Sequence, residues 1–237
     1  MLSARRVAST NGLIAALPRK DREHLLAGCE RVELRFADVI CEPGDRIKHV
    51  YFPAEGFVSL LTPPDGCASL EVGLVGSEGM VGITLMLGVD VSPLRALVQG
   101  AGVALRMDAA PFRRELAQSA PLQRALNLYL YVLMAQVAQM AACTNFHLLE
   151  ARLARWLLMT HDRVHADEFH LTHDLLATML GVRRVGVTKA AGELQRQSLI
   201  RYRRGDITVL SRGGLEAASC GCYQTALDVY DRVLGST

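Results

Sequence analysis

One stretch, "THDLLATMLGVRRVGVTKAAGELQRQSLIRYRRG" (residues 172–205), restricts the fold more than any other part of the chain. Thr172 is placed to cap a first helix whose apolar face holds Leu175, Leu176, Met179 and Leu180. Gly181 falls where the chain must turn sharply, a position that favours a residue without Cβ. A second helix, about Arg184 to Gln195, would hide Val187, Ala190, Ala191 and Leu194 on one face. "LIRYRRGDITVL" then alternates toward a hairpin, with Gly205–Asp206 read as its tip.

Two short helices joined at a glycine and followed by a hairpin define a winged helix-turn-helix. Charge says what such a unit would meet. Between Arg183 and Arg204 lie seven basic residues against one acid, Glu193, whereas the whole chain has 26 basic and 24 acidic residues. So local an excess points to a polyanion. Arg183, Arg184, Thr188 and Lys189 sit at the leading end of the second helix, and Arg201, Arg203 and Arg204 on the hairpin. Arginine or lysine on a helix in the major groove donates to guanine O6 and N7, and basic residues on the wing neutralise phosphates. Gly186 and Ala190 are expected to keep the helix slim enough to lie deep in the groove.

The rest of the chain has two textures. From about Glu30 to Met107, short β-rich runs ("HVYF", "FVSLLT", "LEVGLV", "RALVQ") alternate with turn signals ("EPGD", "PAEG", "PPDG", "GSEG", "GAG"), the pattern of a β-sandwich or barrel. After Pro121 the period becomes helical. Leu126, Leu130, Leu133, Val137 and Met140 recur at steps of 4, 3, 4 and 3, a heptad seam suited to pairing with a twin helix. "CTNFHLLEAR" reads as a break, with Asn145 near the cap of the next helix. The most apolar run, 128–143, is short for a membrane span and carries Gln136 and Gln139. No secretory leader is read at the front, and six scattered cysteines suit a reducing cytoplasm.

On these residues the chain resembles the Crp–Fnr superfamily of bacterial transcription regulators over nearly its whole length. "VYFPAEGFVSLL" and "GSEGMVG" resemble turns of the family's cyclic-nucleotide-binding-like β-roll, and "EARLARWLL" the helix after its dimerisation helix. Residues 172–205 resemble its DNA-binding signature, the most specific of the likenesses. The resemblance implies an α+β chain with a β-roll sensor at 1–120, a dimerisation helix and hinge at 121–146, and a winged helix-turn-helix at 147–237. It further implies double-stranded DNA and a second copy of the chain as partners, with RNA polymerase as another, and no membrane. By position, Arg184 and Lys189 match base-reading residues, while Thr172, Arg183 and Thr188 match or adjoin phosphate contacts. Val185 departs from the family, in which a glutamate able to accept from cytosine is common; valine suits a thymine methyl instead.

An effector is harder to read. Nucleotide-binding members hold phosphate with a Gly-Glu loop and an Arg-Ser or Arg-Ala pair, for which this chain offers Glu78, Arg95 and Ala96. The spacing from Glu78 to Arg95 is long, and Val137 and Ala138 stand where such members carry hydroxyls, so a cyclic nucleotide is disfavoured and no cofactor is read. Cys220 and Cys222 in "CGCY" are two thiols on one segment, too few ligands for a closed metal site.

Two other functions compete. His161, His165, His170 and His173 lie among acids, as in a metal-dependent hydrolase, but lack H-E-x-x-H order. A nucleotide-binding regulatory subunit without DNA binding would leave the basic helix unexplained. No catalytic constellation is read, and a dimeric, sequence-specific DNA-binding regulator is the expected function.

Overall fold

The computed structural model describes residues 11–63 and 69–235. The expected PPDG turn and Cys67 lie partly or wholly outside them. The chain divides into two compact units: residues 1–63, 73–134 and 231–237 form the first, and 64–72 with 135–230 the second.

The first unit is an antiparallel roll. Two short helices, α1 (Gly12–Ala15) and α2 (Arg19–Ala27), precede β1 (Glu30–Leu34), β2 (Val39–Cys41), β3 (His49–Leu61), β4 (Glu71–Val75) and β5 (Arg95–Asp108), then α3 (Ala109–Gln118). The sheet order is β1-β5-β3-β4, with β2 also on β5. The short β-rich runs of the sequence merge into long strands here. "PAEG" and "GAG" are bulges inside β3 and β5, with register shifts between Pro53 and Phe57. Glycine is required at that crossing: a Cβ on Gly56 would strike the Gly100 and Ala101 carbonyls, and one on Gly102 the Glu55 carbonyl.

Asn11 anchors the front of this unit, wholly buried. Its Oδ1 accepts from the Ile14 N–H, and its Nδ2 donates to the carbonyls of Pro53 at 2.8 Å and Gly79 at 3.0 Å. The Gly76–Gly79 turn packs so close to α4 (Ala120–Phe146) that a Cβ at Gly79 would meet the Tyr129 hydroxyl, which donates to the Met80 carbonyl.

The 27-residue α4 runs from the first unit into the second. By length and composition it could cross a membrane, yet Leu122, Leu126, Tyr129 and Val132 are buried on one side of it. This corrects the heptad seam at its start: Leu126 is wholly buried in its own chain's core, beside Phe52 and Phe112. At its end, Met140 accepts a 2.9 Å contact from the Arg155 guanidinium. The large apolar side chains left exposed on it are Tyr131, Met134 and Val137, at 58%, 66% and 46%, and Phe146 at its very end, at 83%. The reason is periodicity: a helix that packs on its own roll at 122, 126, 129 and 132 turns a different stripe outward from the one a strict heptad selects. The helix also continues through Phe146, so Asn145 is no cap and instead donates to the Ala141 carbonyl.

The second unit holds α5 (Leu149–Val164), α6 (His173–Leu180), α7 (Arg184–Arg196), α8 (Arg212–Ala218) and α9 (Cys222–Leu234), the last of which runs past the unit's end. A three-stranded sheet, β6 (Glu168–His170), β8 (Asp206–Val209) and β7 (Ile200–Arg203) in that order, lies among them. Leu153, Trp156, Leu157, Leu176, Val187, Leu194 and Leu215 bury its centre.

Candidate nucleic-acid interface

The site is built from the turn between α6 and α7. Thr172 caps α6 by accepting the Leu175 N–H at 3.2 Å, and Gly181 ends it in the left-handed region at φ 62°. Arg152, buried on α5, sends its guanidinium to the Leu180 carbonyl at that same end. A cation on the last carbonyls of a helix is favourable, and it pins the turn to the unit's central helix. Arg183 is the N-cap of α7, and α7 has no acid in its first turn to repel a phosphate.

The inner face of α7 follows the sequence reading: Val187, Ala190, Ala191 and Leu194 are at most 2% exposed. The small residues serve a different purpose from the expected one. Ala190 is buried, and a Cβ on Gly186 would touch Leu149 of α5 at 3.0 Å, so their smallness lets α7 settle onto its own unit. Arg184, Val185, Thr188 and Lys189 are all exposed on the opposite side. Arg184 stands 3.5 Å from Asp174 in an open ion pair; Val185 is 61% exposed with no apolar partner demanded by the fold. Thr188 hydrogen-bonds His173 Nδ1 and the Arg184 carbonyl, both at 3.1 Å.

The wing is a two-residue hairpin. Arg203 pairs with Asp206, so its tip is Arg204–Gly205 rather than Gly205–Asp206. Both tip residues have positive φ, 54° and 93°, the twist such a loop requires. Arg183, Arg201, Arg203 and Arg204 are exposed and join no ion pair among the described residues. Arg196, by contrast, is engaged by Glu193, whose carboxyl its hydrogen bond holds down to about 2.

Two residues that the sequence reading did not use as supports hold wing and helix in place. His173 stacks on Tyr202 at 4.4 Å with rings 6° from parallel, and Tyr202 donates its hydroxyl to the Leu171 carbonyl at 2.7 Å. Burial, then the nearby Arg184, depresses the His173 pKa. Only the aromatic at 202 beside a helix-start histidine hinted at this, and their separation of 29 residues concealed it.

Of the four histidines of the hydrolase reading, His161 and His165 line one open pocket with Asp162 and Asp167, while His170 and His173 lie away from it. His161 contacts Asp167 and Arg212, His170 contacts Asp206, and His173 faces Tyr202 and Thr188. His165 ends α5 at φ 54°. Nor does the expected effector trio converge. In the first unit a cavity of about 490 Å³ is lined by Arg46, Lys48, His49, Tyr51, Thr84 and Ala96 among others. Ala96 reaches it, but Glu78 accepts from the Gly76 N–H and Arg95 pairs with Glu42, neither at the cavity wall.

A helix exposing basic side chains beside a basic hairpin, fixed through a left-handed glycine to a central helix, defines a winged helix-turn-helix DNA-binding domain. Residues 151–218 match the family model described as the Crp-like helix-turn-helix domain. No curated protein matches the chain. Solved structures similar to it include a CRP/FNR-family transcriptional regulator of Thermus thermophilus, at 26% identity and TM-score 0.66, covering 80% of this chain and 98% of that one. A crp/fnr-family regulator of Eubacterium rectale is similar at 17% identity and TM-score 0.68, with 87% and 96% covered. The global regulator CLP of Xanthomonas campestris, described as c-di-GMP responsive, is similar at 19% identity and TM-score 0.67, with 81% and 99% covered. Residues 151–218 thus carry a Crp-like helix-turn-helix domain, and the chain is similar in fold to regulators of the CRP/FNR family.

Proposed function

We propose that the chain works in the cytoplasm as a homodimer that binds a palindromic operator, each protomer laying α7 in a major groove. The observation that carries this reading is the division of α7 into two faces. One is packed to within 2% exposure, and the other presents Arg184, Val185 and Lys189 to solvent. Those three read bases. Arg183, Arg201, Arg203 and Arg204 hold phosphates, together with Thr172, whose hydroxyl hydrogen is left over after capping. Thr188 can serve a phosphate only by leaving His173 or the Arg184 carbonyl, which makes it the weakest of the set.

The dimer is supported by the uncovered apolar stripe of α4. Exposed Met134 and Val137 and half-buried Leu130 lie at steps of 4 and 3, with exposed Tyr131 alongside. Exposed apolar surface repeated at that period along one helix fits a twin helix. Two protomers related by a twofold would place their recognition helices on half-sites about one helical turn apart. The reading includes no cyclic nucleotide, because Glu78 and Arg95 are used elsewhere than at the cavity.

Selection of bound sequences from random duplex DNA tests the proposal. An inverted repeat is expected, and Val185→Glu should change the preferred base at one position per half-site, since valine can contact a thymine methyl and glutamate accepts from cytosine. Selection of no sequence, or the same sequence by both proteins, would overturn it.

A further inference from the structure

We propose that Cys143, His147, Cys220 and Cys222 form a structural site for one zinc ion. Their four ligand atoms lie within 4.8 Å of one another. Cys143 and Cys220 sulfurs are 3.5 Å apart, and the Cys222 sulfur is 3.4 Å from His147 Nδ1. Tetrahedral zinc, with bonds of about 2.3 Å to sulfur and 2.0–2.1 Å to nitrogen, sets its ligands about 3.8 Å apart for sulfur pairs and about 3.6 Å for sulfur and nitrogen. A multi-iron cluster would need to hold its ligands farther apart than this. At 3.5 Å the thiols Cys143 and Cys220 are also well beyond a disulfide bond of about 2.05 Å.

The fold builds the pocket from two distant pieces. Cys143 lies in the last turn of α4 and His147 directly after its end, four residues on, and Cys220 and Cys222 bracket a glycine between α8 and α9. From the sequence the Cys-Gly-Cys reads as two thiols, too few for a closed site, and Cys143 and His147 draw no notice. Only the tertiary structure unites them, across 73 residues of chain.

A second observation is independent of the ligand distances. Arg155 is 3% exposed, forms no ion pair among the described residues, and leaves its Nε without a partner. A buried, unpaired guanidinium is costly. Zinc with three thiolates and a neutral imidazole carries a net charge of −1, the sign that a buried guanidinium without an ion pair calls for. Gln139 Nε2, 2.9 Å from the Cys222 sulfur, supplies the hydrogen-bond donor that thiolate ligands take from their surroundings.

A thiol is mostly protonated at neutral pH, so binding displaces protons: Zn²⁺ bonds three sulfurs and one imidazole nitrogen, and three thiol protons leave to solvent, with no change of oxidation state. The bound ion would tie the end of α4 to the segment joining α8 and α9 inside the unit that carries α7. The site needs no assumption about the operator.

The test uses the full-length chain, purified untagged under reducing conditions without chelator. Native mass spectrometry and elemental analysis should find one zinc per chain, with a mass matching the loss of three thiol protons. Cobalt should give tetrahedral thiolate absorption. Cys222→Ser should lose the metal, while Cys41→Ser, outside the cluster, should keep it. If Cys222→Ser fails to fold, His147→Cys should retain cobalt and strengthen its sulfur charge-transfer band. Sub-stoichiometric metal with no cobalt spectrum, an iron–sulfur cluster, a native Cys143–Cys220 disulfide, or equal metal loss in Cys41→Ser would each overturn the assignment.

Discussion

Removing Arg203 from the wing should weaken binding to every duplex alike and flatten its salt dependence by a calculable amount. Arg183, Arg201, Arg203 and Arg204 are exposed and free of ion pairs among the described residues, which offers four phosphate contacts per protomer. A dimer then makes eight. With about 0.9 counterion released per contact, the slope of log affinity against log salt should be about −7. Raising salt from about 50 to 200 mM should cost about four orders of magnitude. Arg203→Ala deletes two contacts per dimer, so its slope should be shallower by about 2. Lys189→Ala should behave differently: on the preferred sequence it should lose about 1–3 kcal/mol per half-site, with non-specific binding little changed. Fluorescence anisotropy titrations on selected and scrambled duplexes across four salt concentrations measure both. Equal slopes for wild type and Arg203→Ala, or equal losses on both duplexes for Lys189→Ala, would refute the division between wing and helix.

Other outcomes follow from particular contacts. Gly181→Ala places a Cβ at φ 62° and should cost about 1–2 kcal/mol, read by thermal unfolding; Gly181→Asn should cost less, and an alanine variant as stable as wild type would contradict the turn geometry. His173 has a depressed pKa, so the folded protein binds its proton less readily than the unfolded chain. Its contribution to stability is complete above about pH 6.5 and is lost as pH falls from there through the lower folded value. Urea midpoints should therefore drop below about pH 6.5 in wild type more than in His173→Phe, which keeps the stack on Tyr202 without the titration; parallel curves would remove His173 from the account. Val137→Glu with Met134→Glu should yield a folded monomer in sedimentation velocity, because both side chains are exposed in the single chain; an unchanged dimer would move the interface elsewhere.

The recognition unit was legible because its determinants are local. A cap, an apolar period, a glycine and a two-residue hairpin each act within a few positions, and so Thr172, Gly181 and the buried side of α7 stood where periodicity put them. The errors arose where a local signal had two physical outcomes. "PAEG" and "GAG" carry turn residues, but the positive φ of Gly56 and the missing Cβ of Gly100 and Gly102 serve a bulge equally well, and the choice depended on β3 meeting β5. Gly186 and Ala190 were small for the sake of α5, a neighbour that periodicity does not name. Leu126 satisfied a heptad and yet faces the roll, since a helix has one apolar count but several surfaces competing for it.

By itself the sequence determined the two textures, the helix-turn-helix and the side of α7 that carries charge, because backbone propensity and side-chain period are properties of neighbouring residues. The tertiary structure alone decided which stripe of α4 stays bare, which histidines part company, and that three thiols and an imidazole 73 residues apart share one small space. Those outcomes depend on chain closure, where packing of the whole chooses among arrangements that the local code leaves equal.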